Sequence, residues 1–415
     1  CRYVPLAHSI PEGNALLIDT PFGSVFHTGD WKIDREPVMG SPTTAEELTR
    51  IGDEGVLALV GDSTNVFNPR ESGSESGVRE ALDKVVAEQE GRVLVTTFAS
   101  NAARLHTLGQ VAQDCGRRIC VVGRSLHRIL EVANSVGYLT DFPPVLREED
   151  AMKLPRNEVM ILATGAQGEA RAALSRIAQG EHPRLKLERG DTVIYSSKEI
   201  PGNELAIGVV QNALAAAGVR IITERQANVH VSGHPGIPEL QAMYSWIRPQ
   251  IAVPVHGERR HMEAHAALAK SVGVPDQVVP MNGTAIRLAP GTPEIISHEA
   301  VGRLVLDGEV IVPADGETMV GRRRLLHNGW VGIFLALGKN GLAAEPVLQI
   351  EGVPVEDERA DFVAECTDAA KQAVRKASGK SDDAIAEAVR VAVRRTARDW
   401  TGKKPLTRVS TARVS

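Results

Sequence analysis

Cysteine is scarce: Cys1, Cys115, Cys120 and Cys366 are the four in the chain, with no CxxC pair among them. That excludes a disulfide scaffold and a cysteine-built zinc ribbon, and it fits a reducing, cytoplasmic setting. No run of roughly 18 apolar residues occurs, so no membrane-spanning helix and no membrane partner is expected. Excess positive charge is missing too. A net charge of −5 and a pI near 6.2 speak against a broad basic surface that grips nucleic acid through many phosphates, so any such role rests on a local site. The chain opens Cys-Arg-Tyr-Val, with no initiator Met and no signal-peptide pattern, and it reads as a fragment whose N-terminus has been lost. What remains is globular: 43% hydrophobic and 24% charged residues over 415 positions, enough for two or three domains.

Turn chemistry at Pro21-Phe22-Gly23 between apolar runs predicts a β-hairpin that ends near Gly29-Asp30. A second apolar run, 56–60, leads into the polar Gly61-Asp62-Ser63-Thr64-Asn65, and the Ser/Gly/Glu-rich stretch 68–77 reads as a crossover. From 92 to 223 the chain alternates strand and helix, with strands at 93–98, 119–122, 159–163, 193–196 and 219–223 and helices starting near 102, 126, 169 and 204. This pattern predicts right-handed βαβ units and a parallel sheet, which receives ligands at the carboxyl ends of its strands. Beyond 230 the reading is helix, strand 251–255, helix 259–272 and short strands to about 320. The tail adds helices at 357–377 and 382–400 and strands at 332–337 and 406–414, with Ser381 as an N-cap.

Chemistry-bearing residues gather at the strand ends. His8, in Leu-Ala-His-Ser-Ile-Pro, and Asp30, in His27-Thr28-Gly29-Asp30, prove little singly, because loop histidines and Gly-Asp turns are common. His256 ends an apolar strand beside Gly257 and is a better metal-ligand candidate. His261 and His265 lie one helical turn apart, a chelating spacing, but a solvated or supporting face is the better reading. In His230-Val231-Ser232-Gly233-His234-Pro235-Gly236, two histidines flank a Ser-Gly turn between a strand and a helix, where imidazoles and backbone N–H groups can converge on an anion. The turn Thr164-Gly165-Ala166-Gln167-Gly168-Glu169 can cradle a phosphate, yet it lacks the Lys-Ser/Thr of a P-loop. With Ser196-Ser197 it outlines an anion-binding crevice.

In order, HSIP, HTGD, GDSTN, TFASN, ATGAQGE, YSSKEIPGNE, HVSGHPG and PVHGERRH closely resemble ribonuclease J, in the β-CASP branch of the metallo-β-lactamase superfamily. The resemblance implies an α/β chain: an αββα metallo-β-lactamase sandwich, incomplete here, with an inserted β-CASP parallel-sheet domain and a small C-terminal α/β domain. The expected boundaries are 1–76 and 230–325 for the first, 77–229 for the insert and 326–415 for the last. By the same resemblance His8 matches a ligand of one zinc, Asp30 the carboxylate bridging two, and His256 the last ligand of the second. Asp62 and His234 match a catalytic pair that faces the metals from the β-CASP side, with His234 as general acid. His230, Ser232, Gly233 and Ser197, and more weakly Ser100, Asn101 and the 164–169 loop, match the pocket for RNA phosphate.

The implied activity is zinc-dependent hydrolysis of single-stranded, preferably 5′-monophosphorylated RNA, exonucleolytic from the 5′ end and also endonucleolytic, in RNA maturation and decay. A hydroxide held by two Zn²⁺, or Mn²⁺ in their place, attacks the phosphodiester. A homo-dimer or tetramer is expected. One departure stands out: the family's His-x-His-x-Asp-His signature is absent from these residues, so this chain alone is expected to hold two metals poorly and to be nearly inactive. Two other readings remain. One is a hydrolase of the same fold acting on a small ester or lactone, against which the long insert speaks. The other is a non-catalytic RNA-binding subunit.

Overall fold

A computed structural model describes residues 1–339 and 341–414. The chain forms two compact units, Cys1–Glu299 and Ala300–Ser415.

The first unit contains two sheets. Six strands, β1 (Arg2–Pro5), β2 (Asn14–Thr20), β3 (Gly23–His27), β4 (Val56–Asp62), β10 (Ile251–Val255) and β11 (Asp276–Gln277), lie side by side in that order. The expected hairpin is β2–β3, with its turn at Pro21-Phe22, and β3, β4, β10 and β11 run parallel. The second sheet consists of β5 (Val93–Thr96), β6 (Arg118–Val122), β7 (Val159–Ala163), β8 (Thr192–Tyr195) and β9 (Arg220–Ile222). It is parallel throughout, in the order β6-β7-β5-β8-β9.

Why these segments form strands is visible in their burial. In the second sheet successive residues alternate between two cores. Val93 and Val95 pack with Leu82, Leu105 and Leu126 on one face, while Leu94 and Ile161 pack with Leu174, Ile207 and Leu214 on the other. A sheet covered on both faces needs unbroken apolar runs rather than alternation, which is what the sequence provides. Its helices are α2 (Glu75–Ala87), α3 (Ala102–Asp114), α4 (Arg124–Ser135), α5 (Glu148–Ala151), α6 (Ala173–Ala178) and α7 (Glu204–Ala216). The six-stranded sheet buries Leu17, Phe26, Leu59 and Ala252 with residues of α1 (Ala45–Glu54), α8 (Ile237–Ile247) and α9 (Arg259–Ser271). Its opposite face holds a smaller cluster, including Ala58, Ile251 and Val253.

Some boundaries differ from expectation for local reasons. Helix α6 starts at Ala173 rather than near 169, because Gly165 and Gly168 take φ of 120° and 74°, outside helical backbone. Gly77 falls inside α2, whose N-cap is Ser74.

In the second unit, the antiparallel pair β14 (Leu304–Asp307) and β15 (Val310–Pro313) precedes helix α10 (Glu317–Asn328), where a helix was not expected. The central strand β16 (Trp330–Gly338) is flanked by β18 (Val347–Glu351) and by the parallel β19 (Leu406–Arg413), and pairs at its end with β17 (Gly341–Leu342). Helices α11 (Arg359–Lys376) and α12 (Asp382–Thr401) share a core with β16 that includes Phe362, Val389 and Val393, and Ser381 caps α12 as anticipated. The remaining pair, β12 (Thr284–Arg287) and β13 (Glu294–His298), closes the first unit.

Candidate metal centre

Three neighbouring parallel strands end together. Val255 pairs with Asp62, and Thr28 N–H donates to the Val60 carbonyl at 3.0 Å. In-register ends therefore place Asp62 at the tip of β4, Asp30 three residues beyond β3 and His256 one residue beyond β10. Sequence distances of 22 to 226 residues collapse into one cluster: Asp30, Asp62, His234 and His256 each offer a ligand atom within 4.8 Å of the others. This corrects one expectation. Asp62 does not face the cluster from the inserted side but stands in the six-stranded sheet between β3 and β10, because β4 is the strand they flank.

His256 Nδ1 lies 3.0 Å from Asp30 Oδ1 and 3.3 Å from Asp62 Oδ1. Its backbone sits at φ 54°, a left-handed conformation that costs a β-carbon residue on the order of 1 kcal/mol and persists where surroundings enforce it. Thr64 enforces it by donating to the His256 carbonyl at 3.1 Å. Asp62 has a fully buried side chain and accepts from Thr64 N at 2.8 Å and from His234 Nδ1 at 2.7 Å. Burial opposes its charge, but the bonds from His234, then His256, and from Thr64 N together outweigh burial and hold the carboxyl well below the usual carboxylate range. The Asp30 bond, then the Asp62 bond, push His256 up to about 10.

His8 closes the row of imidazoles. Its Nδ1–H donates to the Gly233 carbonyl at 2.7 Å, which leaves Nε2 facing Asp30 Oδ2 at 3.9 Å, and burial lowers its pKa. A carbonyl on the far nitrogen is the arrangement that orients a metal-binding histidine. The contact requires glycine: a β-carbon at position 233 would lie 2.2 Å from Ser9 Oγ and 2.7 Å from the His8 ring. The His8 and His256 rings stand 5.2 and 5.4 Å from that of His234.

This donor set fits a divalent cation. Two carboxylates share one proton-bearing imidazole, so the charge a metal neutralises is already concentrated there, and mixed imidazole and carboxylate ligands suit zinc or manganese.

The other expected residues are distributed unevenly. Ser232 Oγ accepts from Asn65 Nδ2 at 2.6 Å and from His234 N at 3.1 Å, which shapes the turn. His230 is mostly buried, its Nδ1 has no protein partner, and burial followed by the charges of Arg104, Lys198 and Lys32 presses its pKa down to about 3. Ser197 is buried at the end of β8 and Ser100 is exposed. Asn101 is engaged within the fold: it caps α3 through Arg104 N and donates to Glu75. His261 caps its own helix, and His265 is buried between Ser63 Oγ and Tyr244 OH, each at 2.9 Å.

Sequence reasoning missed four connectors. Asn65 also donates to the His234 carbonyl and accepts from Lys198 Nζ. Gln167 ties two strand-end loops by donating to the Lys198 carbonyl and accepting from Ile200 N and Asn203. Arg104, fully buried, pairs with Glu75 and donates to the Ser196 and Val229 carbonyls. Glu239 accepts from Ile33, Ser72 and Gly236, fixing the turn before α8. Only the motifs GDSTN and SSKE hinted at the first; the rest are visible only in three dimensions.

Family models match along the chain. One described as the ribonuclease J β-CASP domain matches residues 90–214, one described as the Zn-dependent metallo-hydrolase RNA specificity domain matches 218–279, and one described as the ribonuclease J C-terminal domain matches 318–414. Ribonuclease J of Sinorhizobium meliloti is 42% identical, over 99% of this chain and 74% of that protein. The Mycolicibacterium smegmatis protein of the same name is 39% identical, over 97% and 72%. With the parallel sheet at 93–222 and the mixed sheet on either side of it in sequence, these matches give the fold as a metallo-β-lactamase type with an inserted β-CASP domain and a C-terminal α/β domain.

Proposed function

We propose, from the premise that this chain belongs to the ribonuclease J family, that it is built to hydrolyse RNA phosphodiesters at the cluster of Asp30, Asp62, His234 and His256. The observation that carries this reading is the convergence of Asp30, Asp62 and His256, at the ends of neighbouring parallel strands, with His234 of the 230–236 turn. The reading assigns Asp30, His256 and His8 as metal ligands, with Asp62 able to contribute. A bound divalent metal would supply a water of lowered pKa and neutralise charge on the phosphate. Two such ions, zinc or manganese, need more ligands than these four side chains offer, and the His-x-His-x-Asp-His set is not among the 415 residues. This chain therefore retains one ion at most, and its activity falls far below that of a chain carrying the full set.

The chain's own groups account for the rest. Asp62 accepts from His234 Nδ1, which orients the ring so that Nε2–H can deliver a proton to the departing 3′ oxygen. His230, kept neutral and without a protein partner on Nδ1, offers that nitrogen to a phosphate beside Lys198 and the backbone around Ser232 and Gly233. The reading extends to 5′-to-3′ trimming of monophosphorylated ends, with the terminal phosphate held at His230 and Lys198, together with internal cutting.

The test is incubation of the chain, and of a version extended by the missing signature, with 5′-monophosphorylated and 5′-triphosphorylated RNA and added Zn²⁺ or Mn²⁺. Faster loss of the monophosphorylated substrate with the extended version is expected. No cleavage of either RNA by the extended version, with both metals tried, overturns the reading; retained RNA binding in that case favours a non-catalytic subunit.

A further inference from the structure

The second unit carries slightly more Lys and Arg than Asp and Glu, although the whole chain has a net charge of −5. Some of its cations are paired, among them Lys371 with Glu345 at 2.7 Å, Arg390 with Glu387 at 2.6 Å and Arg413 with Asp382 at 2.5 Å, and others are not. Lys376, Lys380 and Arg395 have no carboxylate partner within ion-pair distance among the described residues, and all three line one cavity of about 410 Å³ between α11 and α12. Its floor is alanine, including Ala373, Ala377, Ala388 and Ala392, and Gln372 and Thr396 add polar groups to its wall.

The ordinary explanation for a lysine near a helix C-terminus is favourable interaction with the helix dipole. That covers Lys376, the last residue of α11. It does not cover Lys380, which lies in the turn beyond, or Arg395, well inside α12. Small side chains on the facing helix surfaces keep the groove open, and the three cations leave it with uncompensated positive charge. The occupant such a groove favours is a flexible chain of evenly spaced anions, which alanine floors admit and which needs no base-specific partner.

We infer that the groove between α11 and α12, walled by Lys376, Lys380 and Arg395, is a second RNA-binding site that holds the sugar-phosphate backbone of single-stranded RNA. This rests on the RNA reading proposed above. Binding here is electrostatic and indifferent to sequence, and it adds affinity for RNA without taking part in cleavage.

The experiment measures affinity of the full chain for a fluorescein-labelled oligouridylate over a salt series, with chelator present to prevent cleavage. It compares the wild type with Lys376→Gln/Lys380→Gln/Arg395→Gln and with a charge-matched control, Arg322→Gln/Arg323→Gln/Arg324→Gln. The groove variant is expected to bind about tenfold more weakly near physiological salt, with a log–log salt slope shallower by about 2, as three lost phosphate contacts require. The control is expected to change little. Unaltered affinity and slope in the groove variant overturn the inference, and so does an equal loss in the control, which reports net charge alone. Unchanged RNA binding with altered self-association makes the groove a protein interface instead and also overturns it. Wild-type chain that binds no RNA at all removes the ribonuclease reading, and this inference with it. Circular dichroism checks folding, and Lys380→Gln alone, in an exposed turn, provides a milder version with a slope change of roughly one third as much.

Discussion

At the strand ends of the six-stranded sheet the side chains point at one another and remain chemically available, whereas at the ends of the parallel sheet they are engaged in holding loops. The side chains of Asp30, Asp62 and His256 are partnered by one another, Thr64, His234 and, at 3.9 Å, His8. Across the crevice, Arg104, Gln167 and Asn101 each direct their donors and acceptors into the fold. One sheet supplies reactive groups and the other supplies a rigid wall, on which His230 stands out because its Nδ1 is buried without a partner. Substitutions in the first should therefore damage chemistry more than stability, and those in the second the reverse.

The largest effect is expected at His234. Replacing it by Gln removes the proton donor while keeping a polar side chain beside Asp62, so kcat on RNA, measured in the extended version, should fall by about 10²- to 10⁴-fold. The melting temperature should move little. A drop in stability large enough to explain the lost activity would erase the contrast between the sheets.

Arg104→Met tests the opposite side. Its guanidinium makes bonds to Glu75 at 2.9 Å and links the end of β8 to the residue before His230. Removing one partner of a buried pair strands the other charge, at a cost of about 3–5 kcal/mol. Denaturant unfolding should show that loss, and adding Glu75→Leu should recover part of it. Stability within 1 kcal/mol of wild type in the single variant would mean that the wall does not depend on this pair.

How much of this could be read from sequence depended on whether a residue's surroundings were local. Strands 159–163 and 251–255 and the start of α7 at Glu204 match the structure to the residue, because buried parallel strands announce themselves as apolar runs. Helix α10 was invisible: none of its residues is buried, so it has no apolar stripe to detect. His8, Asp30, His256 and His234 were found through motifs whose strand-end position could be inferred. The connecting roles of Asn65, Gln167 and Glu239 were not, because the contacts that tie separate segments together reach 31 to 206 residues along the chain.

The smallest effect expected is on pH-dependent stability, and it concerns a residue behind the reactive sheet. His265 is buried between Ser63 and Tyr244, one ring nitrogen accepting and the other donating, and burial presses its pKa down to about 4. An unfolded histidine titrates near 6.5, so between about pH 6.5 and 4 the unfolded chain takes up a proton that the folded chain refuses. The stability this residue contributes is thus complete above pH 6.5 and is lost as pH falls toward 4, by about 1.4 kcal/mol per unit and about 3 kcal/mol in all. His230, with its pKa lowered still further, adds a slope of the same sign. His265→Gln should be less stable than wild type at pH 7.5 but should lose less on going to pH 5, so urea unfolding curves of the two proteins should draw together on acidification. Parallel loss in both would show that the imidazole titrates alike in the folded and unfolded chains, and that its burial between Ser63 and Tyr244 does not disfavour the charged ring.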